Sequence, residues 1–464
     1  MKKYDVIVIG SGCGMNILGE TLEHGLKAAL VDKGPLGGTC ANLGCIPSKM
    51  LIFAADRAME IRESGKLGIT AEIKDIDFRA IMNRMRKSLS RGQVEMRHSL
   101  THASKLDFYE TEGHFTDEYT MEVGEEKIKA DTIFIAAGSR PAIPPVKGLD
   151  GVDYLTSDTI LELKARPESM IIIGGGYIAV EYGHFLAAMG TKVTILEMAD
   201  RLVLAEEPEV SELLRKELGK RMEIHTDIRV EEVKKSGGGV TAVITDVKTG
   251  KKKEITAERI LAATGRKSNA DLLKVEKTGV ETDGRGFIKV NEYLETGKKN
   301  IYAVGDINGQ QMFTHVANQE SVIAANNALH KTKVKIDYSA APHAVYSHPQ
   351  IASVGMTEAS ARKDHKILVG RANYSEVAYG EAMMEENGFA KGIVEEKTNK
   401  LLGFHIIGPY APILIQEVIN VMAEAGKIDN LESGLHIHPA LPELILKTLV
   451  NLGEPEPSKK APPS

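Results

Sequence analysis

The stretch MIIIGGGYIAVEYGHFLAAMGTKVTILE, residues 170–197, decides the fold. An apolar run at 170–173 stops at three glycines, AVEYGHFLAAMG has helical character, and KVTILE at 192–197 is a second strand ending in a carboxylate. That order is strand, turn, helix, strand. Gly174, Gly176 and Ala179 stand in register for a dinucleotide fingerprint, with Glu197 23 residues after Gly174. The first glycine turns tightly and the second lets backbone meet a pyrophosphate. The third small residue packs helix on strand, helix N–H groups meet the phosphate charge, and the carboxylate accepts from ribose hydroxyls. Glu197 would repel a 2′-phosphate; Met198 follows it and Arg201 is the nearest cation, so NAD is expected rather than NADP.

The same order occurs at the start of the chain. A strand at 5–9 runs into GSGCGM at 10–15, then a helix and a strand at 28–32, with Asp32 22 residues after Gly10. Gly10 and Gly12 fill their positions, but Met15 stands where Gly or Ala is usual. Helix and strand are therefore expected to sit slightly apart, with Gly14 as partial compensation. Cys13, where backbone should meet a phosphate, reads as a small packed thiol.

Two dinucleotide-binding halves make the chain α/β with two Rossmann-like domains. IYAVGD at 301–306 is a strand that rejoins the first unit. From about 338 the pattern changes to strands in HAVYSHPQIASVGMT, GFAKGIVEE and LLGFHIIG, then helical ILIQEVINVMAEAG and ELILKTLVNLG. This predicts a C-terminal α+β domain around an antiparallel sheet. Expected boundaries are 1–150 and 271–338 for the split first domain, 151–270 for the second and 339–452 for the third. GEPEPSKKAPPS at 453–464 reads as a disordered tail.

At 464 residues the chain has room for about three domains. Net charge is −6, which offers no broad field for a nucleic-acid backbone. No apolar run approaches the roughly 20 residues needed to span a bilayer. MKKYDVIVIG lacks the layout of a secretion signal, so no membrane partner and a cytoplasmic location are expected.

Of 3 cysteines, Cys40 and Cys45 lie in GGTCANLGCIPSK at 37–49. This C-x4-C spacing can close a small disulfide ring, form half of a metal site, or hold two unrelated thiols. With Cys13 the sole other cysteine, a Cys-based zinc site lacks ligands, and no metal is expected.

These residues resemble the flavoprotein disulfide reductases, which include dihydrolipoamide dehydrogenase, glutathione reductase and mycothione reductase. The resemblance rests on GGTCANLGCIPSK, IAAGSRP at 135–141, GGGYIAVE at 174–181, AATGR at 262–266, IYAVGD and HIHPALPE at 436–443. It implies FAD at the first fingerprint, held by Gly10, Gly12, Gly14, Asp32, Lys33, Gly38, Thr39, Gly138, Gly305 and Asp306. It implies NAD at the second, held by Gly174, Gly176, Tyr177, Ala179, Glu197 and Gly265, with Tyr177 as gating aromatic. Cys40 would be the interchange thiol and Cys45 the thiol beside the flavin. Lys49 would pair with Glu181 near the flavin ring, and His438 with Glu443 would reach the disulfide of the other subunit of a homodimer. An imidazole near neutral pKa oriented by a carboxylate is what thiol proton transfer needs. His436, nearby, reads equally as a surface histidine.

The marks for substrate divide. LEMADRL around Glu197 and the H-x-H-P spacing look like dihydrolipoamide dehydrogenase. GSGCGM, GVDYLTSDTI at 151–160, VAYGEAMMEENG at 377–388 and HPALPE look more like mycothione reductase, whose members use NADPH. The acidic Glu197 puts first an NAD-dependent dihydrolipoyl dehydrogenase, with a lipoyl-bearing protein as partner. An NAD(P)H-dependent reductase of a small mycothione, glutathione or coenzyme A disulfide comes second, and a flavin redox sensor without turnover a remote third. No cysteine follows Cys45, so the C-terminal pair of mercuric reductases is missing.

Overall fold

The computed structural model describes residues 1–330, 332–424 and 426–454. Its first sheet has β1 (Lys2–Ile9) at the centre, followed by α1 (Gly14–Glu23) and β2 (Ala28–Val31). Next come α2 (Gly38–Asn42), α3 (Cys45–Glu63), α4 (Phe78–His102), β3 (Leu106–Tyr109), β4 (Gly113–Asp117), β5 (Thr120–Val123) and β6 (Glu126–Ile135). The strand order is β3-β2-β1-β6-β5-β4. Residues 301–303 of IYAVGD add a parallel strand beside the end of β6, Ile301 against Ile133. The chain thus returns to its first sheet after an excursion of more than a hundred residues. β2 is buried at every position, because a parallel strand covered on both faces has no solvent side.

The excursion builds an all-parallel four-stranded sheet from Ser169–Ile173, Lys192–Leu196, Glu223–His225 and Arg259–Ala262. α5 (Tyr177–Ala188) follows the first of these and α6 (Pro208–Leu218) the second. An antiparallel meander of Ile228–Ser236, Gly239–Asp246 and Lys252–Ala257 is inserted before the last strand. The C-terminal sheet is antiparallel and five-stranded: Pro342–Val345, Ile351–Gly355, Leu401–Ile407, Phe389–Glu395, Ile367–Asn373. Helices Ala411–Ala423 and Glu443–Val450 share an apolar core with it, including Phe404, Ile406, Leu414 and Leu444.

A buried ionic junction joins the middle unit to this last one. The Lys391 ammonium, 4% exposed, meets Glu207 (2.9 Å), Glu209 (2.6 Å) and Glu358 (2.7 Å). Glu206 beside them accepts from Ser353 Oγ and pairs with His343, both at 2.6 Å. Ordered chain extends past the expected domain end, since Gly453 exchanges backbone hydrogen bonds with Val369. Residues 455–464 of the expected tail lie outside the described residues. Among the described residues no helix is long and apolar enough to cross a membrane.

Candidate active site

The two fingerprints fold the same way. Gly10 has φ +100° and Gly174 φ +108°, a region closed to most side chains. A Cβ on either would stand 2.4 Å from a carbonyl oxygen, that of Ala136 or of Ala263. Each helix that follows, α1 or α5, begins without a side-chain cap, so no side-chain oxygen occupies the positive end that would face a phosphate. Each distal carboxylate is anchored to backbone. Asp32 accepts from Ser11 N (2.5 Å) and Gly34 N (2.7 Å), Glu197 from Ala199 N (2.6 Å). The looser packing expected from Met15 is replaced by a close approach at Gly14, where a Cβ would lie 2.9 Å from Val8 Cγ1. The small residue has moved one place earlier in the chain.

A cavity of about 1820 Å³ opens from the first loop. Its wall includes Gly10, Gly12, Asp32, Lys33, Gly38, Thr39, Gly138, Gly305 and Asp306, and also Cys40, Cys45, Lys49, Tyr177 and Glu181. Gly14 lies just behind this wall. Gly174, Gly176, Ala179, Glu197 and Gly265 belong to the second fingerprint outside it, with Tyr177 at the start of α5 linking the two.

FAD fits this space on the structure's own terms. Gly138 has nothing within 4 Å of a Cβ position, so its bare backbone faces open volume. Asp32, just past the end of β2, contributes a carboxylate to the same wall. Asp306 accepts from Ser139 Oγ (2.6 Å) and lies 3.5 Å from Arg266 Nε. Gly305 is fixed by the buried Glu320, which accepts from its N–H at 2.6 Å. Cys13 packs under this loop, and burial with Glu320 and Asp306 nearby pushes its thiol up to about 12, which leaves it neutral.

Cys40 lies on α2 and Cys45 is the first residue of α3. Neither sulfur is bonded to another, and the two thiols lie close enough to interact directly. The Cys40 thiol stabilises the Cys45 thiolate; Thr314 Oγ1, 3.7 Å from Cys45 Sγ, and the Lys49 charge act in the same direction. Cys45 is lowered to about 6, and Cys40 is raised by the same contact and by burial. Thr314 and Lys49 bias the pair toward ionisation at Cys45.

One turn into α3, Lys49 Nζ donates to both oxygens of Glu181 (2.9 and 2.7 Å). Glu181 is 5% exposed, and burial raises its carboxyl despite the lysine. It also accepts from Tyr346 N at 3.0 Å, which ties α3, α5 and the C-terminal unit together. Burial raises Tyr177 to about 12, and its ring centroid is 6.0 Å from that of Phe313. His438 and Glu443 sit far along the chain on an exposed edge, with His438 Nδ1 2.8 Å from Glu443 Oε1. Glu443 also accepts from Ala440 N (3.0 Å), and the imidazole holds its carboxyl low. They are absent from the cavity wall of their own chain. His436 pairs separately with Glu417 at 3.2 Å.

Residues 4–321 match the pyridine nucleotide-disulphide oxidoreductase family, and residues 341–449 match that family's dimerisation domain. The chain belongs to the pyridine nucleotide-disulphide oxidoreductases. It is 36% identical to a mycothione reductase of Mycobacterium tuberculosis, over 97% of this chain and 100% of that one. It is 34% identical to a dihydrolipoyl dehydrogenase of Synechocystis, over 95% and 97%. The HOCl-induced flavoprotein disulfide reductase RclA of Escherichia coli, solved as a Cu(II) complex, superposes with TM-score 0.86 at 26% identity, covering 97% and 99%. Membership makes this an FAD-dependent enzyme that uses a pyridine nucleotide, and the dimerisation domain indicates a homodimer.

Several cavity residues escaped the sequence reading. Arg266 follows Gly265 in the AATGR motif already singled out, and its Nε donates to Ser139 Oγ (2.6 Å) beside Asp306. Thr314 has no local signal, being 269 residues from the cysteine it touches. Arg84, Lys87 and Arg91 line the cavity from one face of α4, where the sequence shows only a charged helix.

Proposed function

We propose that the chain oxidises dihydrolipoyl groups with NAD+ through the Cys40/Cys45 pair. The observation that carries the disulfide chemistry is the placement of both cysteines in the wall of the cavity shared with the first glycine loop, with Thr314 and the Lys49–Glu181 pair beside Cys45. In this reading Cys40 exchanges with substrate and Cys45 carries the thiolate, the direction in which Thr314 and Lys49 shift it. Glu197 supports NAD: its carboxylate lies against the second fingerprint, with a Cβ on Gly175 only 2.8 Å from Oε2. Arg201 turns instead to the Leu204 carbonyl (3.2 Å) and Asp200 (3.5 Å). A 2′-phosphate would meet a carboxylate and no committed cation.

FAD, held by Gly10, Gly12, Asp32 and Asp306, supplies two-electron chemistry between thiols and nicotinamide when bound. The chain's own groups do the rest. A substrate thiol gives its proton to His438 of the partner subunit, oriented by Glu443. The thiolate attacks Cys40 Sγ of the oxidised pair, the Cys40–Cys45 bond breaks, and Cys45 leaves as the thiolate stabilised by Thr314 and Lys49. The second substrate thiol attacks the substrate sulfur of the mixed disulfide, closing the lipoyl ring and releasing Cys40, which takes a proton.

A second reading, reduction of a small anionic disulfide by NADH, rests on α4. Arg84 Nη2 donates to Met50 O (3.0 Å) on α3, while Gln93 bonds Leu36 O and Asn42 Oδ1, both at 2.6 Å. Lys87 and Arg91 between these anchors run beside the cysteine helices and give the cavity a cationic edge. Steady-state turnover separates the two. Rapid NAD+ reduction by dihydrolipoamide supports the first; slow lipoamide turnover beside fast NADH oxidation by a glutathione, mycothiol or coenzyme A disulfide replaces it with the second.

A further inference from the structure

α1 and the Thr314–Leu329 helix run beside each other, and both begin at the active site, one at the glycine loop and the other at Thr314. Their far ends meet at the surface and carry a group of side chains with no part in the chemistry above. Glu20 is on α1, His24 caps its C-terminus, and His330 caps the C-terminus of the other helix. Glu20 Oε1 lies 3.1 Å from His330 Nε2 and 3.6 Å from His24 Nδ1. The two imidazoles stand edge to face with centroids 4.9 Å apart. A ligating atom from each of the three residues lies within 4.8 Å of the others.

These separations match a coordination polyhedron. With metal–ligand distances of about 2.0–2.1 Å, the edge of a tetrahedral site is roughly 3.4 Å. His24 Nδ1 also lies 2.9 Å from Glu20 O. Nδ1 is also the nitrogen that faces Glu20 Oε1, so an ion takes its lone pair in place of the backbone contact, with the ring proton on Nε2. Two helix C-termini converge here, and their unpaired carbonyls favour positive charge. Lys105 Nζ, at the turn after α1, is committed to Gly25 O at 2.6 Å.

We propose that Glu20, His24 and His330 form a surface site for one divalent ion of the zinc class, clasping the ends of the two helices. Two imidazoles and one carboxylate suit zinc and its soft neighbours rather than calcium or magnesium, which take all-oxygen shells. A water fills the fourth position. An ion there stabilises the folded state by mass action and restrains the two helices whose other ends form the glycine loop and present Thr314 to Cys45.

The test is calorimetric titration of the flavin-loaded, full-length protein with zinc chloride. It is run in a Cys40→Ser, Cys45→Ser background, so that the active-site thiols cannot capture the ion. The expected result is one zinc per chain and a melting temperature that rises with zinc. His24→Ala and His330→Ala should each weaken binding about tenfold or more and abolish the rise. In the chain with its cysteines restored, both variants should keep metal-free turnover. Absence of zinc binding, or equal binding in the two variants, overturns the site.

Discussion

The contact between Cys40 and Cys45 favours a single charge on the pair, and its removal has a direction. In Cys40→Ala the Cys45 thiolate loses the thiol that stabilises it most, so its titration moves up from about 6 toward the ordinary value of 9.0. The fall in ultraviolet thiolate absorbance on acidification measures this, and an unchanged midpoint contradicts the assignment. A folded-state pKa below the unfolded one makes Cys45 stabilise the reduced protein increasingly from about pH 6 to about 9, a contribution lost on acidification, while above about 9 the raised Cys40 opposes it. Much at this scale is legible in sequence, because the cysteines and Lys49 occupy one short segment. Thr314 and Tyr346 are not, because they meet Cys45 and Glu181 through folding alone.

The two glycine loops show how far a motif carries at the scale of an element. Gly174, Gly176 and Ala179 meet the pattern and form the turn it describes. In the first loop Met15 breaks the pattern, yet α1 still packs on β1, because Gly14 supplies the missing clearance. Glycine to alanine in a helix ordinarily gains up to about 1 kcal/mol. At Gly14 the added methyl crowds Val8 and the Ala136 Cβ (3.3 Å), and overpacking costs about 1–3 kcal/mol. Gly14→Ala is therefore expected to lower the melting temperature of the FAD-loaded protein; an unchanged or higher value refutes the close packing. The inserted meander at 228–257 is harder to foresee, since its charged, exposed outer strands lack the apolar continuity that marks the parallel sheet.

At the scale of the molecule, His438 and the cysteines occupy opposite ends of the chain, and the sequence order of the domains hides whether they meet. His438 is 72% exposed and absent from the cavity of its own chain. If it serves the cysteines of a partner, Cys45→Ser and His438→Ala homodimers are each expected to lose turnover by about 10²-fold or more. Mixing and re-pairing the two should restore activity, since one site per mixed dimer then has both an intact cysteine pair and an intact histidine. No recovery on mixing refutes the shared site.

The central claim is that electrons pass from NADH to the Cys40/Cys45 disulfide, and a thiol count tests it most directly. The aerobically purified, flavin-loaded protein is titrated with NADH without oxygen, quenched in denaturant and reacted with a chromogenic disulfide. Of the 3 cysteines, Cys13 alone is expected to react before NADH and all of them after it. A count unchanged by NADH, with the flavin bleached, would contradict the account, because the nicotinamide would then reduce the flavin without reaching the cysteine pair.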